Sequence, residues 1–295
     1  MMTDDNSCTM HGVGPPLVTP FTENGDVDYT ALSALVEWIE ERGVDFIVPC
    51  GSNSEAELLT MAERKRVTET VVKEASVPVM AGTGHPGLAE TLETTASAAD
   101  AGADAALVVT PFYYRHSQET LASYYREVAD SVDIPVYLYS VPPYTDVQLE
   151  PETVDQLASH PNVAGMKDSS GELGTFIRTQ QRTVDEEFDL LVGSGAMLAQ
   201  ALDIGATGGI LALANLLPEH TAEIYDLHRD TPAQAREMNA ELVEINTAIT
   251  AKYGIPGLKW AMRERGAPAG HPRSPHGPLE QKAKTHIESL LAEVL

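Results

Sequence analysis

Eight short apolar runs, separated by amphipathic segments, constrain the fold of this chain more than any other feature. The runs lie at residues 13–19, 45–50, 78–82, 105–110, 135–141, 163–167, 188–193 and 208–214. They are rich in Val, Ile and Leu and largely non-alternating, which is typical of strands buried on both faces of a parallel sheet. Helical patterns lie between them, at residues 29–42, 61–74, 87–101, 118–131, 150–159, 173–183, 196–204 and 218–227.

Eight strand–helix units predict a (β/α)8 TIM barrel, an α/β fold, with a doubly wound open sheet as the alternative. No Gly-x-Gly-x-x-Gly follows the first run and no Walker loop occurs, so the pattern does not favour a nucleotide site. Three further helical patterns predict a C-terminal helical extension, at residues 232–252, 257–265 and 279–294. We therefore expect one domain, with the barrel at residues 12–229 and the helices at residues 230–295.

The acidic balance of the chain limits its partners. Of 295 residues, 44 are Asp or Glu and 19 are Lys or Arg, a formal net charge of −25. Repulsion by phosphates argues against nucleic acid and against anionic membrane surfaces as partners. Dispersed acids with scarce lysine predict a halophilic surface, because screening at high salt tolerates self-repulsion. An ordinary acidic protein is the alternative.

The remaining composition predicts a cytoplasmic protein without metal. No apolar run is long enough to cross a membrane, and the acidic, polar residues 1–7 differ from a signal peptide. Cys8 and Cys50 form neither a disulfide framework nor a zinc-site spacing, and Cys50 fits a small core residue. The scattered histidines show no metal-ligand spacing.

Lys167 is the residue that most suggests chemistry, because it ends the sixth apolar run. Barrel enzymes place their chemistry at the carboxyl ends of strands. An amine among apolar neighbours loses solvation of its charged form and can attack a ketone as a nucleophile. The alternative is a lysine that only pairs with a carboxylate such as Asp168.

A lysine that forms an imine needs a proton carrier, donors for the substrate carboxylate, and room for a planar imine. Tyr139 can carry protons, and Ser52 and Asn53 can hold a carboxylate together with backbone N–H groups. Gly193 and Gly209 supply the room. The alternatives are an interior tyrosine with a satisfied hydroxyl and a helix cap at residues 52 and 53.

Four strand-end motifs follow one another in a characteristic order. They are Gly-Ser-Asn-Ser-Glu at 51–55, Val-Thr-Pro-Phe-Tyr-Tyr-Arg at 109–115, Tyr-Ser-Val-Pro at 139–142 and Gly-Met-Lys-Asp at 165–168. With them the chain resembles the dihydrodipicolinate synthase / N-acetylneuraminate lyase superfamily of class I aldolases. The resemblance extends over residues 12–217 and 253–262, and implies a barrel with C-terminal helices in a homotetramer built from two tight dimers.

The resemblance also implies roles for individual residues. Lys167 would form the imine with pyruvate or another 2-oxo acid, and Tyr139 would act as acid and base. Ser52 with Asn53 would bind the carboxylate side. Tyr113 would reach into the neighbouring subunit's site and complete a proton relay. The covalent imine serves as the electron sink, so we expect no separate cofactor.

Departures from the superfamily pattern bear on the substrate. The synthase branch usually has an arginine shortly after Tyr-x-Val-Pro, which binds the carboxylate of the aldehyde partner, and Tyr144 stands there. Sugar-acid aldolases need a polar distal pocket without a fixed cation, which Tyr144, Thr145 and Ser169 would provide. Ile210 would pack beside the keto acid. Ser54 stands where the superfamily commonly has glycine, which leaves the turn geometry open because serine disfavours positive φ.

We therefore predict a Schiff-base aldolase of carbohydrate degradation that cleaves 2-keto-3-deoxygluconate to pyruvate and an aldehyde such as glyceraldehyde. 4-Hydroxy-2-oxoglutarate is the second candidate substrate, since residues 160–163 and 253–259 resemble its aldolases. A 4-hydroxy-tetrahydrodipicolinate synthase or a 2-keto-3-deoxy sugar acid dehydratase would use the same imine. A non-catalytic keto-acid sensor is the alternative of another class, and it would have no need of Lys167 or Tyr139.

Overall fold

A computed structural model describes residues 10–295, so the interpretations of residues 1–7 and of Cys8 fall outside the described part of the chain. Within that part, seven parallel strands form one sheet in the order β1-β7-β6-β5-β4-β3-β2. The strands are β1 (Gly12–Gly14), β2 (Met80–Gly82), β3 (Ala105–Val109), β4 (Val136–Ser140), β5 (Val163–Asp168), β6 (Asp189–Val192) and β7 (Gly208–Ile210).

The second apolar run closes the gap between β1 and β2. Val48 forms a parallel bridge with Pro16 on one side, and Ile47 forms one with Val79 on the other. The backbone N–H of Ile47 also donates to the carbonyl of Pro78 at 2.9 Å. The sheet therefore closes into a (β/α)8 barrel, which confirms the predicted fold class.

Prolines explain why this run pairs through isolated bridges rather than a continuous ladder. Pro15, Pro16, Pro49 and Pro78 lie along the seam, and proline has no backbone N–H to donate. The same effect ends β1 at Gly14, whereas the sequence pattern predicted a strand as far as residue 19. The order of the barrel was predicted correctly, but the lengths of these two strands were not.

Helices follow the strands around the barrel. They are α1 (Tyr29–Glu40), α2 (Met61–Glu74), α3 (Leu88–Asp100), α4 (Gln118–Ser131), α5 (Pro142–Thr145), α6 (Pro151–Ala158), α7 (Leu173–Thr183), α8 (Leu198–Ile204), α9 (Leu213–Leu216) and α10 (Pro218–Asp230). The short helices α5 and α9 were not predicted. No helix in residues 10–295 combines the length and the apolar character needed to span a bilayer.

The C-terminal extension consists of α11 (Pro232–Glu241), α12 (Val243–Thr247), α13 (Gly254–Glu264) and α14 (Gln281–Val294). The helix predicted at residues 232–252 is divided, with a π-helical stretch at Ala248–Lys252. Leu258, Trp260 and Met262 of α13 belong to the same apolar core as the barrel helices. The extension therefore shares the core of the barrel, and the boundary predicted at residue 229 stays a prediction.

A second apolar cluster fills the inside of the barrel. It includes Phe46, Leu107, Tyr139, Leu191 and Ile210, all at most 5% exposed. Side chains from successive strands thus pack the interior as a solid core, as in other barrels of eight strands. Polar groups at the carboxyl end of the barrel consequently lie on top of a rigid, tightly packed apolar core.

Candidate active site

Lys167 lies near the carboxyl end of β5, between the two strands that flank it. Its Cα is in register with Tyr139 of β4 and with Leu191 of β6. The residue is 3% exposed, and its Nζ lies 4.3 Å from the centroid of the Tyr139 ring. An ammonium at this distance over an aromatic face is attracted by the ring quadrupole. The amine is therefore held against Tyr139, away from bulk water.

Asp168 does not pair with this lysine. Successive side chains of a strand point to opposite faces, which separates the two residues. One carboxylate oxygen of Asp168, Oδ1, accepts the backbone N–H of Ser170 at 2.7 Å, and burial raises the pKa of the carboxyl group. None of the ion pairs found within residues 10–295 joins Lys167 to Asp168. The geometry gives no support to the interpretation of Lys167 as a simple ion-pair partner.

Ser52 joins this pair from the opposite side of the barrel mouth. It begins a 3₁₀ turn, Ser52–Ser54, and its Oγ lies 3.4 Å from the hydroxyl of Tyr139. Asn53 is the middle residue of the turn. The residue before the turn is Gly51, so neither Ser52 nor Asn53 is its cap. The second run, β4 and β5 therefore bring Ser52, Tyr139 and Lys167 together.

Ser54 settles the geometry of this turn. Its hydroxyl accepts the backbone N–H of Gly51 at 3.0 Å and donates to the carbonyl of Leu17 at 2.5 Å. The left-handed residue is instead Glu55, with φ of 56°. Ser54 therefore replaces a glycine without adopting positive φ, and its buried hydroxyl anchors the turn.

Gly193 makes space for Ser169 at the end of β6. A Cβ at Gly193 would lie 1.8 Å from Ser169 Oγ, so no other residue fits there without moving the serine. Ile210 is fully buried in the interior cluster that also contains Tyr139. These positions lie at the strand ends where they were predicted, and their contact with a substrate stays a prediction.

A cavity of about 510 Å³ opens beside Ser52 and Tyr139. Tyr144 lines it and is 71% exposed. Lys167, whose Nζ lies against the Tyr139 ring, does not itself line the cavity. Tyr113 is 86% exposed with φ of 77°, and within the described single chain it does not line the cavity either.

A buried arginine on the cavity wall was not singled out by the sequence pattern. Arg64 of α2 is 3% exposed, its Nη2 lies 3.2 Å from Glu57 Oε1, and its Nη1 contacts His85 Nε2. Burial and the nearby guanidinium lower the pKa of His85 to about 4, so the ring is neutral at pH 7. Arg64 lies three residues before the buried Val67, and that helical spacing was the available signal. The cavity wall therefore holds a fixed cation, unlike the pocket that we expected.

The described residues contain no cluster of side chains that could serve as metal ligands. Among residues 10–295, no three His, Cys, Asp or Glu side chains converge in an arrangement able to hold a metal ion. Cys50 lines the cavity but is 3% exposed, and burial raises the pKa of its thiol. A thiol in that state is a poor nucleophile and a poor ligand.

Comparison with known proteins gives a consistent result. The model of the dihydrodipicolinate synthetase family matches residues 9–294. A 4-hydroxy-tetrahydrodipicolinate synthase of Methanothrix thermoacetophila is 36% identical over 96% of each chain. An uncharacterized DapA-like lyase of Halobacterium salinarum is also 36% identical, over 97% of this chain and 94% of its own.

Solved structures agree with the sequence relatives. A dihydrodipicolinate synthase of Acinetobacter baumannii, complexed with pyruvate, superposes with a TM-score of 0.93 at 31% identity, covering 97% of this chain and 99% of its own. YagE of E. coli, also in complex with pyruvate, gives a TM-score of 0.92 at 30% identity, with 97% and 98% covered.

Fold, strand-end lysine and relatives together define a carbon–carbon lyase of class I built on a (β/α)8 barrel. Within this class, the chain belongs to the dihydrodipicolinate synthetase family. The predicted superfamily and enzyme class are thereby confirmed. The relatives do not support the predicted preference for 2-keto-3-deoxygluconate, and they favour the synthase alternative.

Proposed function

We propose that the protein joins pyruvate to an aldehyde through an imine on Lys167, as a 4-hydroxy-tetrahydrodipicolinate synthase. The observation that carries this proposal is the grouping of Lys167, Tyr139 and Ser52 at one end of the barrel. The amine lies 4.3 Å from the tyrosine ring centroid, and the two hydroxyls lie 3.4 Å apart. The names of relatives at 36% identity support the same activity.

The residues suit each step of such a reaction. The amine of Lys167 gives up a proton and attacks the ketone carbon of pyruvate, and loss of water from the carbinolamine leaves the imine. Tyr139 moves protons to and from the oxygen that leaves, and Ser52 extends this path. The imine withdraws electrons, so a C3 proton is lost and an enamine forms. The enamine carbon then attacks the aldehyde carbonyl, whose oxygen takes a proton, and the imine with Lys167 forms again. The amino group of aspartate semialdehyde then attacks the imine carbon, which closes the product ring and releases the Lys167 amine.

The second substrate is where the two candidate reactions differ. Aspartate semialdehyde carries a carboxylate, and Arg64 places a cation on the cavity wall. One observation instead favours the opposite direction of catalysis, the cleavage of a sugar acid to pyruvate and an aldehyde. Tyr144, rather than an arginine, lines the cavity after Tyr-x-Val-Pro, and its hydroxyl suits a polyhydroxylated chain. Cleavage of 2-keto-3-deoxygluconate is therefore the second candidate function.

The test follows pyruvate with three substrates at both low and molar salt. The substrates are aspartate semialdehyde with pyruvate, 2-keto-3-deoxygluconate alone, and 4-hydroxy-2-oxoglutarate alone. We expect consumption of pyruvate with aspartate semialdehyde to be fastest, and we expect Lys167→Arg to abolish it. Faster release of pyruvate from 2-keto-3-deoxygluconate would instead establish the sugar-acid lyase.

Borohydride tests the mechanism independently of the second substrate. Reduction in the presence of pyruvate should add a stable adduct at Lys167, found by peptide mass, and no adduct should form on Lys167→Arg. If the wild-type protein forms no adduct, the imine mechanism is rejected, and both candidate functions are rejected with it.

We also infer a tetramer in which Tyr113 of one subunit completes the proton relay of its neighbour. Tyr113 and Tyr114 stack edge to face with ring centroids 5.0 Å apart, and both are mostly exposed in the single chain. Exposed aromatic pairs of this kind are typical of protein interfaces. Their position after β3 places them at the barrel end that holds Lys167.

A further inference from the structure

A buried ion pair lies directly behind the turn that holds Ser52. Nζ of Lys259, on α13, lies 2.5 Å from Oε1 of Glu55, and neither side chain has exposed surface. The ammonium also donates to the carbonyls of Thr19, at 2.6 Å, and of His271, at 2.9 Å. All three of its N–H bonds therefore have acceptors, and one amine joins the segment after β1, the turn and the C-terminal segment.

Glu55 is held at both of its carboxylate oxygens. Its Oε2 accepts the backbone N–H of Arg273 at 2.8 Å. Its backbone is left-handed, with φ of 56° and ψ of 39°, a conformation that costs energy in a residue with a Cβ. The two contacts on its side chain therefore fix the backbone bend that ends the Ser52–Ser54 turn.

We propose that Lys259 and Glu55 are positioning residues that set the Ser52–Ser54 turn for substrate binding. A buried ion pair contributes little net stability over two apolar side chains, so its effect here lies in fixing geometry. The contact between Ser52 and Tyr139 is 3.4 Å long, close to the limit for a hydrogen bond, and a small shift of the turn breaks it. The C-terminal helices then complete the active site as well as cover the barrel.

This inference rests on the proposed function, because its test uses the imine. The measurement is the yield of borohydride-reduced adduct at Lys167 as pyruvate concentration is varied. Lys259→Met keeps an unbranched side chain, one atom shorter, and removes its three hydrogen bonds. We expect the half-saturating pyruvate concentration to rise about tenfold, because sub-ångström displacement of a binding group has effects of this order. The adduct should still form at saturating pyruvate.

Arg265→Met is the matched control. Arg265 follows α13 and binds the carboxylate of Glu219 and the carbonyl of Leu216, so it ties the same helix to the barrel away from the turn. This substitution should lower the Tm and leave the pyruvate dependence unchanged. A general loosening of α13 is thereby separated from a specific loss of the turn's geometry.

A double variant protects the test against simple misfolding. Glu55→Gln with Lys259→Met removes both buried charges together, so neither is left unpaired. We expect it to recover most of the Tm that Lys259→Met loses, yet to keep the raised half-saturating concentration. A structural role alone would restore both properties.

Three results would decide against the inference. Wild-type pyruvate dependence in Lys259→Met or in the double variant overturns it, whatever their Tm. An equal rise in Arg265→Met overturns it too, because any loosening of the helix would then suffice. Absence of an adduct on the unsubstituted protein is a different result, since it rejects the proposed function before any variant is compared.

Discussion

At the scale of single residues, the proposed chemistry depends on the hydroxyl of Tyr139. Phe in its place keeps the ring over Lys167 but removes the group that moves protons. We expect Tyr139→Phe to lower kcat by about 10²- to 10³-fold, within the usual range for general acid–base groups. Its Tm should change little, since within residues 10–295 the hydroxyl's hydrogen-bond partner is Ser52, at the long distance of 3.4 Å. Steady-state kinetics and thermal unfolding of the same preparation check both expectations.

Tyr137→Phe is the control for this substitution. Tyr137 lies two residues earlier on β4, also inside the barrel, and its hydroxyl donates to Asp189 Oδ2 at 2.5 Å. Its loss leaves a buried carboxylate short of a donor, so the Tm should fall while kcat stays close to wild type. Comparable losses of kcat in both variants would mean that the hydroxyl of Tyr139 has no special part in the reaction.

Single residues also show which parts of the candidate site could be predicted from the sequence alone. Lys167, Tyr139 and Ser52 were found because each lies near or just beyond the carboxyl end of an apolar run, and strand ends of a barrel converge. Lys259 and Glu55 are 204 positions apart, and although each lies in a segment that carries the resemblance, neither segment indicates that the two side chains pair. Their pairing depends on how α13 packs on the barrel, which spacing along the chain does not encode. Arg64 was overlooked because charged residues surround it in the helix.

At the scale of elements, the start of α2 is held by two interactions of one side chain. Glu63 Oε2 accepts the backbone N–H of Thr60 at 2.8 Å, which completes a capping box. Both of its oxygens also bind the guanidinium of Arg273, at 2.9 and 2.5 Å. The hydrogen bond to Arg273 is the main cause that lowers the pKa of Glu63 from 4.5 to about 2.

The shifted pKa of Glu63 predicts a pH dependence of stability. Because the folded state lowers this pKa, the stabilisation is fully present above pH 4.5 and is lost as the pH falls towards 2. Glu63→Gln should therefore cost about 1–2 kcal/mol at pH 7, allowing for partial solvent screening. Urea unfolding across this pH range should show the difference from wild type shrinking below pH 4.5.

Glu69→Gln provides the comparison on the same helix. Glu69 is exposed and pairs with the exposed Lys65, at 3.9 Å, so its loss should change stability by less than about 0.5 kcal/mol at any pH. A constant offset for Glu63→Gln between pH 7 and pH 2 would contradict the assignment of its stabilisation to the ionised carboxylate.

Elements with local signals were predicted best. The bounds of α2, α4 and α7 match the predicted ranges, and Thr60 and Ser117 cap the first two with side-chain oxygens. The helix expected at residues 232–252 is instead broken near Leu242 and at the π-helical stretch. Amphipathic periodicity continues across such breaks, because residues on both sides bury the same face, so the pattern cannot locate them.

At the scale of the whole molecule, charge is the feature that sequence alone determines. The formal net charge of −25 over 295 residues implies strong self-repulsion at low ionic strength. We expect the Tm to fall by at least roughly 4 °C on dialysis from molar KCl into low salt, equivalent to about 1–2 kcal/mol. Calorimetry over a series of KCl concentrations measures this, and an unchanged Tm would favour an ordinary acidic protein.

The fold could be predicted at this scale because parallel barrels repeat one simple unit. What could not be predicted is how the extension meets the barrel. Leu258 and Met262 of α13 are fully buried in the common core, although the sequence suggested only an appendage. A helix of ordinary composition gives no sign of which surface it will cover.

The pair of Lys259 and Glu55 has a consequence for biosynthesis. The ribosome makes Glu55 first, and the 204 residues that separate it from Lys259 take about 10 to 40 s to add at ~5–20 residues per second. Once Lys167 has been added, the nascent barrel holds the lysine of the proposed reaction but still lacks the partner of Glu55. A newly made chain would therefore become competent only when its last helices dock, so the order of translation delays the chemistry until folding is finished.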